Sequence, residues 1–173
     1  MEEEIRIWVS VPEQRLYVLE NGKRVADYPV STAKNGTGEL SGSGCTPRGL
    51  HQIRVKIGAG APLGAVFVGR RLTGEIYSPV LVDQYPQRDW ILTRILWLSG
   101  LEPGRNRFGK YDTLRRFIYI HGCPHELPLG MPLSHGCIRM SNEAITELFE
   151  RVAKGDRVLI DDTCARPTDR FSH

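Results

Sequence analysis

The sequence predicts a mainly β domain with one principal helix near its C-terminus, and three observations carry that class. Short apolar runs alternate with polar residues at a period of two along much of the chain. Asn21-Gly22 joins two such runs at the spacing of a tight hairpin. Only one stretch, after Asn142, repeats its apolar residues at helical spacing.

Taken in order, "IRIWV" alternates Ile5, Ile7 and Val9 with Arg6 and Trp8. "RLYVLE" and "KRVADYPVS" flank Asn21-Gly22, where both turn positions tolerate positive φ. Thr32 to Gly49 is rich in Gly, Ser, Thr and Lys and predicts a mobile loop ending in "CTPRG". It contains neither of the common glycine-rich nucleotide fingerprints, which excludes a phosphate cradle of those types. "LHQIRVKI", "AVFVG", "WILTRILWL" and "RRFIYIH" predict further strands. After Asn142 as N-cap, Ile145, Leu148, Phe149 and Val152 recur at i, i+3, i+4 and i+7. Glu143 suits the first turn, Lys154 the last, and Gly155 the stop. "RVLI" then predicts a closing strand, and 163–173 a polar tail that frays.

A length of 173 residues fits one domain, here 1–162, with that tail behind it. The net charge of +3 comes from scattered Lys and Arg, so nucleic acid is not the expected partner, although a basic cleft for an anionic ligand is compatible with it. No apolar run approaches the roughly 18 residues of a membrane span, and "MEEEIRIWVS" lacks the basic and apolar regions of a secretory signal. A cytoplasmic protein is therefore expected, periplasmic only if a leader has been removed. Its thiols, Cys45, Cys123, Cys137 and Cys164, are then expected to be reduced.

Three of the five histidines and two of the four cysteines fall between His121 and Cys137. The cluster holds a metal or builds a thiol nucleophile with its base. The metal reading has H-x-C-x-H and H-x-C spacings broken by Pro124, Pro128 and Pro132, whereas common zinc sites use C-x2–4-C and H-x3–5-H. For the thiol reading, Gly136 before Cys137 permits a tight backbone approach, so amide N–H groups can face a reacting carbonyl. A nearby imidazole lowers a cysteine's pKa and accepts its proton. His135 is two positions from Cys137 and poorly placed for direct transfer; His121, 16 positions upstream, is the better base. Alternation sets Phe117, Tyr119 and His121 on one strand face, with His121 at a sheet edge.

The segment from His121 through Ser134-His135-Gly136-Cys137-Ile138 resembles the signature of the L,D-transpeptidase catalytic domain, or YkuD, family. "YPVSTAKNGTG", "CTPRGLHQI" and "NEAITELFERVAKGDRVLI" resemble its flanking elements, so the likeness covers roughly Ile5 to Ile160. The resemblance implies a YkuD-like β-sandwich of mixed sheets. It also implies roles: Cys137 as nucleophile, His121 as general base, and the Gly122 carbonyl orienting the imidazole. Amides around His135, Gly136 and Cys137 would hold the oxyanion. Ser134, His135, Arg139 and Tyr119 would shape the site or bind substrate. Arg139 stands where an Asn is common, and Cys123 is an extra thiol that either packs or pairs with Cys137 under oxidation. His51 suits a strand face, Cys45 and Cys164 are expected to be inert, and Trp8, Trp90 and Trp97 suit core anchors. Lys34 and Arg48 suit solvated surface.

What the resemblance implies about activity is acyl transfer on the peptidoglycan tetrapeptide or muropeptide, with no metal or cofactor. The thiolate would attack the carbonyl of residue 3, usually diaminopimelate, at its L centre and expel D-Ala. Water as acceptor makes an L,D-carboxypeptidase of peptidoglycan recycling. A second stem peptide makes a transpeptidase forming 3→3 cross-links, and other amines would attach amino acids or proteins. A non-catalytic module that binds wall fragments is the third reading. Carbapenem-type inhibitors are expected to acylate Cys137.

Overall fold

The computed structural model describes residues 4–163. The predicted tail and Cys164 therefore lie, Thr163 apart, outside the described residues. The strands are β1 (Ile5–Ser10), β2 (Arg15–Glu20), β3 (Lys23–Pro29), β4 (Gly49–Ile57), β5 (Ala65–Val68), β6 (Arg71–Ile76), β7 (Ile91–Gly100), β8 (Tyr119–Gly122), β9 (Ile138–Met140) and β10 (Arg157–Asp161). The helices are α1 (Pro79–Gln84) and α2 (Asn142–Arg151). This is the mainly β class with one long helix that the sequence predicts.

The strands pair in the order β3-β2-β1-β10-β4-β7-β5-β6, and β8 branches from β7 to carry β9. β1–β10 and β8–β9 are parallel; the other pairs are antiparallel. The β2–β3 hairpin turns at Asn21 and Gly22 with φ of 51° and 76°, the positive pair that a right-twisted two-residue turn requires. One large core takes Ile7 and Val9 from β1, Ile53 from β4, Leu96 and Leu98 from β7, and Ile120 from β8. Trp8, on the opposite face of β1, stacks on Tyr17 in a smaller cluster, so β1 is covered on both sides.

α2 closes the large core with Ile145, Leu148 and Phe149, and Val152 follows as its extended C-cap, so the helix ends short of the predicted Lys154 and Gly155; each of these four apolar side chains is worth roughly 2 kcal/mol on burial. Its cap is Ser141, whose Oγ accepts the Ala144 N–H at 3.0 Å, one residue before the predicted Asn142. The Asn142 side chain is committed elsewhere, accepting the Thr93 hydroxyl at 2.7 Å. β6, β9 and α1 have no counterpart in the sequence reading, because three to six residues carry too little periodicity. Conversely, the strand predicted from Arg115 begins only at Tyr119, after a turn in which Phe117 has φ of 58°. Among the described residues no helix is long and apolar enough to cross a membrane.

The loop predicted as mobile is pinned. Thr32, Ala33 and Thr46 are buried, and hydrogen bonds join Ser134 N to Thr32 O and Lys34 N to Ser134 O, both at 2.9 Å. The glycines supply sharp turns, while the residues between them zip onto the segment before Cys137.

Candidate active site

β8 lies between β7 and β9, with His121 opposite Ile95 on one side and Arg139 on the other. The expected sheet-edge position for His121 is therefore corrected: a three-residue strand covers that edge, and His121 is wholly buried. Parallel strands place opposed residues on one face. Ile120 faces Ile138, so Cys137, one step earlier, stands opposite Tyr119 and on the face of His121. Two residues along and one strand across put the Cα atoms of His121 and Cys137 about 8 Å apart, on one face of the sheet.

His121 Nδ1 lies 2.7 Å from Gly122 O. A carbonyl only accepts, so Nδ1 carries the proton and Nε2 holds a lone pair. That Nε2 is one of four buried polar side-chain atoms that lack a partner among the described residues. Gly122 is required by space: a Cβ there would meet Asn142 Oδ1 at 2.5 Å and Leu92 O at 2.6 Å. The half-buried Cys137 receives the Tyr119 N–H at 3.3 Å and points its S–H at Phe117 O, 3.4 Å away.

Electrostatics keep both groups neutral at rest. Burial pushes the Cys137 thiol up to about 12, against the opposing pull of the Tyr119 amide, Arg139 and Arg116. Burial also moves the His121 imidazole below the usual histidine range, offset in part by its bond to Gly122 O. The sequence reading expected an imidazole-lowered thiol pKa. Here burial outweighs the groups that lower it, which are the Tyr119 amide, Arg139 and Arg116, and the imidazole is not among them.

Ser134 Oγ donates to Cys137 O at 2.6 Å and accepts the Gly136 N–H at 3.2 Å. Thr46 Oγ1 donates to Gly136 O and accepts the Ala33 N–H, both at 2.9 Å. These two hydroxyls lock the turn that presents the sulfur. Arg139 is buried, holds Leu133 O at 3.3 Å and approaches Asp89 Oδ1 at 3.5 Å. His135 is exposed, 3.9 Å from the same Asp89 oxygen. His135, Arg139, Asp89 and Trp90 line an open cleft of about 480 Å³, in which His135 and Arg139 are the residues nearest in sequence to Cys137.

A model of the L,D-transpeptidase catalytic domain family, YkuD, matches residues 4–160. The chain belongs to that family. A 64-residue stretch is 42% identical to the probable L,D-transpeptidase YbiS of Escherichia coli, covering 36% of this chain and 21% of that protein. A 55-residue stretch is 45% identical to the putative L,D-transpeptidase YqjB of Bacillus subtilis, covering 32% of this chain and 31% of that one. These matches thus span a third or less of the relatives' own length. Among solved structures, the L,D-transpeptidase of Xylanimonas cellulosilytica superposes with a TM-score of 0.54 at 21% identity, over 92% of this chain and 62% of that one. L,D-transpeptidase 3 of Mycobacterium tuberculosis, in complex with a faropenem-derived adduct, gives 0.55 at 19%, over 90% and 59%. At those identities the likeness is one of fold.

Of the residues that the YkuD signature singles out, the structure brings His121, Gly122, Ser134, Gly136, Cys137 and Arg139 into one contact network across β8, β9 and the turn between. One placement differs from the expectation: Gly136 N–H, an expected oxyanion donor, is already bound by Ser134. Tyr119 is buried, its hydroxyl accepts from Arg70 at 3.1 Å, and its side chain belongs to the cluster against which Cys137 packs. Thr46, Asp89 and Arg116 went unrecognised; only Thr46, in "CTPRG", lay in a segment that the resemblance marked.

Oxidative pairing of Cys123 with Cys137 is excluded by register. Cys123 lies four positions past Tyr119, the residue opposite Cys137, so the two Cα atoms are about 14 Å apart, beyond the 7 Å limit for a disulfide. Cys123 is buried, and burial pushes its thiol up to about 11, which suits packing. His51 is likewise structural: buried, it meets Gly49 O through Nδ1 at 3.0 Å and Thr113 Oγ1 through Nε2 at 2.9 Å. No three potential metal ligands converge among the described residues; His125 is exposed beside Glu126.

Proposed function

We propose that this domain is a cysteine acyl-transfer enzyme that removes the terminal D-Ala from peptidoglycan stem tetrapeptides at the L centre of residue 3, with water as acceptor. The observation that carries the chemistry is the unpartnered Nε2 of a buried, tautomerically fixed His121 on the sheet face of Cys137. As the thiol sulfur attacks the carbonyl carbon, its proton passes to Nε2 and the carbonyl electrons move to oxygen. Collapse of the oxyanion breaks the C–N bond, and the imidazolium gives its proton to the departing amine, leaving a thioester. Water then attacks with His121 again accepting the proton, and the tripeptide leaves as Cys137 recovers its hydrogen.

Water as acceptor needs only one bound peptide, which the open cleft of about 480 Å³ beside His135 and Arg139 can hold. Such an activity fits the trimming of soluble tetrapeptide fragments in the cytoplasm during wall recycling. The family name itself favours the second reading, transfer to another stem peptide.

Incubation with free and disaccharide-linked tetrapeptide, with and without a second stem peptide, tests the proposal by mass spectrometry of the products. Loss of D-Ala alone supports hydrolysis, and a joined dimer replaces it with transpeptidation. Cys137→Ala and His121→Ala should each abolish turnover while the circular dichroism spectrum is kept. Turnover that survives Cys137→Ala would end the thiol mechanism, and binding without turnover would leave a fragment-binding module.

A further inference from the structure

The cleft accounts for one side of the thiol, and a second feature lies on the other. Arg116 is a half-buried arginine in the turn that leads into β8. Its Nη1 donates to Gly38 O at 3.1 Å, and its Nη2 donates to Cys45 O at 2.6 Å and Ser43 Oγ at 3.4 Å. These acceptors are all neutral. Glu39, whose charge reaches Arg116, is taken by Arg48 through both carboxylate oxygens at 3.1 Å. A partly desolvated cation is ordinarily paired, and this one has no carboxylate partner among the described residues. Three of its five N–H donors are used, so two remain for a ligand.

Its position gives this meaning. The residue after it, Phe117, accepts the Cys137 S–H. The carbonyl that it grips, Cys45 O, stands 3.3 Å from where a Cβ on Gly136 would lie. The guanidinium thus flanks the turn that carries the nucleophile, held by the same loop whose Thr46 locks Gly136 O. Arg94 is also held by carbonyls, those of Ala61 and Thr93, but it lies over the Phe149 ring with no nucleophile beside it.

We propose that Arg116 is a specificity-determining residue that binds the free α-carboxylate of the donor peptide's terminal residue on the leaving-group side of Cys137. This rests on the peptidase reading above and narrows its substrate to peptides ending one residue beyond the scissile bond. The guanidinium fork matches a carboxylate, and the fixed carbonyls hold it in place before the substrate arrives.

The experiment compares tetrapeptide acid with tetrapeptide C-terminal amide on the wild type, Arg116→Gln and Arg116→Lys. A hydrogen-bonded charge of this kind is worth about 10- to 100-fold, so the wild type should favour the acid in kcat/KM by that ratio. Arg116→Gln should bring the ratio to within about threefold of unity, while Arg116→Lys keeps part of it, as a point charge does. A ratio equal in wild type and Arg116→Gln, with both substrates slowed alike, overturns the proposal and leaves a scaffold role. A second measurement needs no peptide: alkylation of Cys137 at pH 8.5 by iodoacetate relative to iodoacetamide, read by mass spectrometry. That ratio should fall several-fold in Arg116→Gln and hold in Arg116→Lys; no change ends the anion site. If no peptide is turned over by any form, the peptidase reading fails, and the alkylation ratio still decides whether Arg116 holds an anion beside Cys137.

Discussion

Gly122→Ala puts the orientation of His121 to a quantitative test. Gly122 is an ordinary extended strand residue, so the substitution acts through space and not through φ. The new Cβ would stand 2.5 Å from Asn142 Oδ1 and 2.6 Å from Leu92 O, short of ordinary 3.4 Å contact by 0.9 and 0.8 Å. Leu92 O is backbone of β7 and cannot yield alone. Asn142 Oδ1 can turn away only by releasing the Thr93 hydroxyl, which also accepts the Gly64 N–H at 3.0 Å. The Gly122 peptide must therefore move by most of an ångström. Overpacking of this kind costs about 1–3 kcal/mol, or roughly 4–8 °C in Tm at 2 kcal/mol for a chain of this size. The same shift pulls Gly122 O from the His121 Nδ1–H, now 2.7 Å away. Loss of one buried hydrogen bond and a misplacement near 1 Å each point to about a 100-fold lower kcat, with KM little changed. The assay is D-Ala release from tetrapeptide under saturating substrate, alongside a thermal melt and titration of folded enzyme by Cys137 alkylation. A variant that loses several degrees yet keeps half of its kcat would refute the carbonyl as the device that aims the imidazole.

Two further outcomes concern pH. On the proposed mechanism turnover needs His121 neutral, and burial holds its imidazole below the usual value near 6.5, so the acid limb of kcat/KM should be centred below 6.5; an acid limb centred above 6.5 contradicts this. His51 governs acid stability in the same direction. Burial lowers it from 6.5 to about 4, so the unfolded chain binds its proton first, and stability is lost as pH falls from 6.5 to 4 and no further below. The 2.5-unit difference at 1.36 kcal/mol per unit is about 3 kcal/mol. Urea melts across that window should show His51→Asn losing that much less than the wild type, the His121 contribution cancelling; superimposable pH profiles would deny His51 the role.

How far the sequence carried this site depends on which contacts are local. Alternation in "RFIYIH" correctly put Tyr119 and His121 on one face and Ile118 and Ile120 on the other, because a strand's period is intrinsic to its backbone. The position of that strand in the sheet was not legible. β9 is three residues long, and its pairing with β8 is what turns His121 from an edge residue into a buried one. The helix start shows the same division. Ser141 and Asn142 are both good caps, and the choice was made by Thr93, 49 positions away, which occupies the Asn142 side chain.

The residues that complete the site have the same character. Thr46 reaches Gly136 across 90 positions, and Arg116 reaches Cys45 across 71. No spacing rule links them, since each contact exists only after the glycine-rich loop has been laid against the turn before Cys137. A motif names the nucleophile because the turn that presents it is local. Its charge environment is assembled from loops, and two of the three acceptors around Arg116 are carbonyls, which any sequence supplies equally. Specificity on the leaving-group side therefore has to be sought in which cation lacks a carboxylate after folding, a property of the packed chain that no single segment carries.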